Sequence, residues 1–261
     1  MRIYVGSVTL FCHVQNRPLG DMRYDLPPKL VSFYKDKGFI ELENLLSEEE
    51  LHEISRECDS LLKLKLKQKH FAFSETTLKT TFQEGWNLHE ESALLEKFIT
   101  QKKFLEIVSQ LTGLHKIKVG FTQILRTFDK TQSESDEPLP PLFYHYTSLD
   151  DVSCFQGLEL GCMIHLVSER AISQDPLVDI EHAKGILHPL PMHPKSITFF
   201  SSKHPFSLDP LPDFSHQLYL LVTFGRDNMV YVDQPKDPHT HEMKKQGFVF
   251  GDVLPGKIHV V

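Results

Sequence analysis

A chain of 261 residues, 40% hydrophobic and 24% charged, can bury a sizeable core, which excludes disorder along its whole length. Its 28 basic residues against 35 acidic ones leave a net charge of −7. No stretch gathers enough Lys and Arg to form a phosphate-binding face, so nucleic acid is not an expected partner. No apolar run reaches the length of a membrane span, so no membrane association is expected either.

The stretch 1–17 has an apolar run broken by Gly6 and Ser7 and lacks a small-residue cleavage site. It therefore reads as a first strand, over 2–12, and not as a leader. The four cysteines, Cys12, Cys58, Cys154 and Cys162, form no C-x-x-C pair and sit in apolar or helical contexts. Reduced, packed thiols and a cytoplasmic location are expected.

Pro27-Pro28 opens a short helix, Lys29 to Lys37, that Gly38 stops. Phe39 to Glu43 alternates as a strand does. Ser47-Glu48-Glu49-Glu50 is a capping-box pattern, in which the serine hydroxyl accepts from the amide three residues on and Glu50 reaches back. The helix it starts places Leu51, Ile54, Cys58, Leu61 and Leu62 on one face. The basic run Lys63 to Lys69 is then the solvated end of that helix. A second helix is predicted from about Glu90 to Leu111, closed by Thr112-Gly113.

Beyond Gly113 the pattern turns to short β-like runs. They are Ile117–Phe128, Leu142–Ser148, Leu158–Ser168, Ser196–Lys203, Gln217–Phe224, Met229–Asp233, Gly247–Phe250 and Lys257–Val261, with a polar loop over Thr131 to Pro141. Many short strands divided by Pro, Gly and Asp favour a sandwich, barrel or jelly roll. With helices ahead of them, packed on one face, the predicted class is α+β. One domain is expected over 1–261, with 1–113 as its strand and helix portion and 114–261 as its β core.

Three segments in order resemble the phytanoyl-CoA dioxygenase-like proteins of the Fe(II)/2-oxoglutarate-dependent oxygenase superfamily. The first runs from Phe33 through Gly38-Phe39 to Leu51. The second is Leu125-Arg126-Thr127-Phe128, followed by a loop and Phe143-Tyr144-His145. The third runs from Leu190-Pro191-Met192-His193 to Phe199-Phe200-Ser201-Ser202-Lys203-His204. The resemblance implies a double-stranded β-helix, the jelly-roll core of that superfamily, with Fe(II) and 2-oxoglutarate as cofactors. It also implies a metal site of two His and one carboxylate that leaves positions open for cosubstrate and oxygen.

The family's H-x-D pair corresponds here to His145-Tyr146-Thr147, with threonine at the carboxylate position. The resemblance makes His145 and His204 the metal-binding histidines, and Asp150 or Asp151 the carboxylate that a loop would fold back. An arginine on the next strand grips the far carboxylate of 2-oxoglutarate in the family. That region reads Phe214-Ser215-His216-Gln217-Leu218-Tyr219. His216 and Gln217, or Arg126 from the earlier strand, are the candidates to replace it. The departures at 147 and at the arginine leave two readings. One is a divergent oxygenase with altered or lost catalysis. The other is a non-catalytic binding protein on the same barrel, with an apolar pocket lined by residues such as Phe143, Phe200 and Tyr219. The first would act on a small-molecule substrate, and the second would hold a small molecule or a partner without chemistry.

The 15 histidines raise a lesser alternative, a metal-responsive regulator. His188 and His193 flank a proline-rich turn, and His239-Thr240-His241-Glu242 reads as an exposed polar loop. A hydrolase has no support, because no G-x-S-x-G elbow and no phosphate-cradling glycine loop is present.

Overall fold

The computed structural model describes residues 2–5, 8–11, 24–73, 76–127, 147–166, 196–208 and 216–261. The predicted strand 2–12 is two strands, β1 (Arg2–Val5) and β2 (Val8–Phe11), paired antiparallel with Val5 opposite Val8. Helix α1 (Pro28–Lys37) carries proline in its first turn, where the missing N–H costs nothing. It ends at Gly38, whose φ of +79° is left-handed and whose N–H donates to the Tyr34 carbonyl. Strand β3 (Phe39–Glu43) follows at once.

Helix α2 (Glu48–Gln68) forms the predicted capping box in full. Ser47 Oγ accepts from the Glu50 N–H at 3.2 Å, and Glu50 Oε2 accepts from the Ser47 N–H at 2.9 Å. Ser47 is exposed, so its replacement removes the cap without opening a cavity. Ser47→Ala is expected to lower stability by about 1 kcal/mol in urea unfolding. An unchanged midpoint would show that the cap contributes nothing.

The helix predicted over 90–111 is broken in two. After α3 (Leu78–Glu84) and a 3₁₀ turn at Leu88–Glu91 come α4 (Ala93–Ile99) and α5 (Lys102–Thr112). Local side-chain bonds cause the breaks. Ser92 caps α4 by accepting from the Leu95 N–H, and the Thr100 hydroxyl donates back to the Glu96 carbonyl at 2.8 Å as the chain turns out at Gln101.

The main sheet has six strands in the order β3-β6-β5-β7-β4-β8, all neighbours antiparallel. Its later members are β4 (Lys116–Arg126), β5 (Phe155–Leu166), β6 (Ser196–Ser201), β7 (Leu218–Tyr231) and β8 (Ile258–Val260). Strand β7 joins two of the predicted runs into one, and Gly247–Phe250 is turn and not strand.

Both faces of this sheet are buried, which is why β5 and β7 read as nearly continuous apolar runs. Leu218, Leu220, Val222 and Phe224 of β7 pack with α1, α2, α4 and α5 on one face. Tyr219 and Leu221 lie in a second cluster on the other. That inner face is covered by a short bridge between Thr147 and Phe206 and by two small helices, α6 (Leu149–Val152) and α7 (Thr240–Lys245). A bulge in β4 between Val119 and Thr122 shifts the alternation. Val119 therefore packs with the helices, whereas Leu125 joins the inner cluster. The architecture is the expected α+β one, a curled antiparallel roll with α1, α2, α4 and α5 on one face and only short helices over the other.

Candidate functional site

The inner face carries the candidate residues. At its end, the backbone of Gln217 exchanges hydrogen bonds with Thr127, whose N–H donates to the Gln217 carbonyl and whose Oγ1 accepts from the Gln217 N–H. This holds the Gln217 side chain beside β5, where its Oε1 lies 2.8 Å from His165 Nε2. The His165 ring stacks on Tyr219, its register partner, with centroids 4.6 Å apart. Burial pushes the Tyr219 hydroxyl well above its usual range, so it stays protonated.

On the covering layer, Thr147 and Phe206 exchange both backbone hydrogen bonds, at 3.0 and 2.8 Å. Residues paired in this way point their side chains to the same face. Phe206 is fully buried and packs edge-on against Phe200, with centroids 4.9 Å apart. The residue facing Thr147 is therefore a phenyl group.

The candidate metal ligands do not gather there. His145 lies outside the described residues, as do Phe143, His188 and His193. His204 sits in a turn closed by its N–H to the Ser201 carbonyl. Its ring lies against Phe39 at the sheet edge, with centroids 5.6 Å apart. A Cβ added at Gly38 would stand 2.5 Å from His204 Nδ1. Burial lowers the His204 pKa and favours the neutral ring. Asp150 and Asp151 occupy the first turn of α6 and are exposed; Ser148 caps that turn by accepting from the Asp151 N–H, and its hydroxyl donates to the Asp151 carboxylate. Leu149 and Val152 are the α6 residues that face inward. No loop folds either carboxylate back. Among the described residues, no three His, Cys, Asp or Glu side chains gather around a common point.

The cosubstrate candidates also separate. Arg126 turns to the helix side of the sheet, where it pairs with Asp59 of α2 and lies over the Phe73 ring. Alternation explains this, because Leu125 takes the inward place. His216 is half-exposed with a left-handed φ of +54°. Gln217 alone of the three reaches the inner face, held by His165 and Thr127.

Next to this end lies a cavity of about 530 Å³ counting its open mouth. Phe121, Leu125, Leu208 and Leu221 form its apolar walls. His239 closes one side, so the segment 239–242 is not the exposed loop that was expected. His239 is buried, stacked on Trp86 at 4.6 Å and on Phe82 at 5.5 Å. His241, its neighbour in the H-x-H, is exposed. Gln123 fixes the protonation of His239. The Gln123 amide nitrogen donates to the carbonyls of Phe82 and Ile124, so Oε1 remains to accept from His239 Nε2 at 3.1 Å. Burial lowers the His239 pKa to about 4 and keeps the ring neutral.

His165, Gln123 and His239 were missed in the sequence. The available signal for the first two was a polar residue inside a strand otherwise apolar on both faces, since such residues require a partner. His239 had no such signal.

The residues described do not fit the cofactors that the resemblance implies. A threonine hydroxyl is a weak ligand for Fe(II) beside a carboxylate, and a phenyl group is none. No guanidinium reaches the inner face from the two arginines of the flanking strands, because Arg126 pairs with Asp59 and Arg226 with Glu159.

No protein-family profile and no curated protein sequence matches the chain. Solved structures do. One is the non-heme alpha ketoglutarate dependent carbocyclase SnoK from nogalamycin biosynthesis, 14% identical, covering 92% of this chain and 98% of that one with a TM-score of 0.59. The epimerase SnoN from the same biosynthesis is 14% identical over 88% of this chain and 95% of its own, with a TM-score of 0.56. CytC3 with Fe(II) and alpha-ketoglutarate is 10% identical over 80% and 81%, with a TM-score of 0.51. At such identities the likeness is one of fold, and the fold of this chain is the jelly roll of the 2-oxoglutarate-dependent oxygenases.

Proposed function

We propose that this chain is a divergent relative of the phytanoyl-CoA dioxygenase-like oxygenases in which iron-dependent oxidation is lost and the barrel binds a small molecule. The observation that carries this reading is the Thr147–Phe206 pair, a hydroxyl facing a buried phenyl group. The segment from Phe33 to Leu51 supports the subfamily, since its helix, Gly38 turn, strand and capped helix all form. The apolar cavity lined by Phe121 and Leu125 of β4, Leu221 of β7 and Leu149 and Val152 of α6 supports binding, as small-molecule sites are concave and mostly apolar with few polar groups. Three buried cysteines, Cys58, Cys154 and Cys162, are free thiols, which accords with a reducing, cytoplasmic setting. Among the described residues, no helix is long and apolar enough to cross a membrane.

The test is anaerobic calorimetry with Fe(II) or Mn(II), with and without 2-oxoglutarate. No stoichiometric uptake at micromolar concentration is expected, and His204→Ala should titrate like the unaltered protein. Micromolar uptake that disappears in His204→Ala would overturn the reading and restore a metal centre.

A further inference from the structure

The main sheet ends at β8, the last strand in its order. Its pairing with β4 sets Ile258 opposite Lys118, His259 opposite Ile117 and Val260 opposite Lys116. The Val261 N–H donates to the His115 carbonyl, so 261 and 115 form a hydrogen-bonded pair. In an antiparallel ladder such pairs alternate with unbonded ones. His259 therefore also turns its N–H and C=O towards β4, whereas those of Ile258 and Val260 point away from the sheet. No described residue meets them.

The side chains of these two residues also share one face. Ile117 packs with the helices, so His259 opposite it lies on that side, and Ile258 and Val260 lie on the other. Both are exposed, at 50% and 79%. Sheet edges are guarded by short length, charge, proline or a bulge. Strand β8 has only its shortness, because the neighbouring Lys257 is drawn to Glu96 at 2.6 Å.

This edge is self-complementary. When two copies meet antiparallel about a two-fold axis at His259, Ile258 of each falls opposite Val260 of the other. That register alone uses every outward group, two N–H and two C=O from each copy, in four hydrogen bonds. It also sets isoleucine against valine twice, and β-branched apolar pairs stabilise a ladder. Like charges are kept apart. Lys257 falls opposite Val261 of the second copy, and Lys116, beside Val260 on β4, pairs with Asp227. His259 meets its own copy on the axis as a neutral ring, because burial lowers its pKa. We propose that β8 is a homodimer interface, at which two copies join their main sheets edge to edge through Ile258 and Val260. Strands of three residues bury less than the about 800 Å² per partner of a standard interface, so the dimer is reversible, with a dissociation constant on the order of 10–100 μM.

Sedimentation equilibrium of the full chain from about 2 to about 300 μM should show this monomer–dimer exchange. Val260→Lys places a charge at an exposed position and should leave a monomer at every concentration, with an unaltered circular dichroism spectrum. The register has its own readout. Residues opposite one another in an unbonded pair have Cα atoms about 4.5 Å apart, within disulfide reach, whereas diagonal neighbours are about 7–8 Å apart. His259→Cys should therefore give a cross-linked dimer on mild oxidation, and Ile258→Cys should give several-fold less. A parent chain that stays monomeric throughout, or a dimer that survives in Val260→Lys, would overturn the inference. So would a cross-link at 259 no stronger than that at 258 or that of the unaltered chain.

Discussion

Phe200→Ala is expected to lower stability by about 3–5 kcal/mol, as removal of a fully buried phenyl group does. Phe200 has no exposed surface, and its ring covers Gly161, its register partner across the β5–β6 pair. The same ring meets Phe206 edge-on, so the inner faces of both layers lose contact together. Gly161 is the other half of this fit. A Cβ there would overlap three atoms of the Phe200 ring, so Gly161→Ala is expected to cost about 1–3 kcal/mol through overpacking. The two changes should not add. Without the phenyl group the alanine methyl fills vacated space, and the double variant should be at least about 1 kcal/mol more stable than the sum predicts. Urea unfolding of the two single variants and the double variant measures the coupling. Simple additivity would show that the ring and the glycine do not depend on one another.

Acidification should produce a second large loss of stability. His89 is half-buried and His239 buried, both are neutral, and burial lowers each pKa to about 4 from an ordinary 6.5. The unfolded chain therefore binds more protons than the folded one between those values. The stabilising contribution is complete above pH 6.5, falls as the pH drops towards 4, and is lost below it. Each histidine accounts for about 3 kcal/mol over that window. His204 and His259 shift the same way and add to the slope. Glu90, raised by burial and by the neighbouring charge of Glu91, opposes it at the acid end. The measurement is the urea midpoint at pH 7, 5.5 and 4.5, compared with His239→Gln. A glutamine at 239 should flatten the dependence by about half of the two-histidine effect. A variant whose midpoint falls with pH as steeply as the parent would remove His239 from the account.

How far the fold could be read beforehand depended on where the determining contacts lie in the chain. The α2 cap was legible because its four residues contain the whole interaction, and Gly38 and Gly113 were legible as stops for the same reason. The break between α4 and α5 was missed. The apolar spacing runs straight through it, and the interruption falls at Thr100, whose hydroxyl bonds back to the Glu96 carbonyl, and at Gln101. The inward side of β4 was beyond reach, since the bulge after Val119 shifts every later residue by one place.

The candidate site was less legible still. The threonine at 147 could be seen as a departure, but its opposite number could not. Nothing in the sequence showed that the backbone pairing sets Phe206 opposite it. Arg126 was a candidate by charge, and alternation places it beside Asp59 on the helix side. His239 was hidden by its surroundings of Pro, Asp and Thr, which read as surface. Its burial depends on Trp86 and Gln123, more than a hundred residues away in the chain.

That last pairing bears on the order of events during synthesis. One wall is held by His239, clasped to an indole 153 positions earlier in the chain. The ribosome shields the most recent stretch of a growing polypeptide, so the imidazole emerges well after the indole it packs on. Until then Trp86 and Phe82 have no lid, and the nascent protein presents a greasy, half-built bowl that chaperones would recognise.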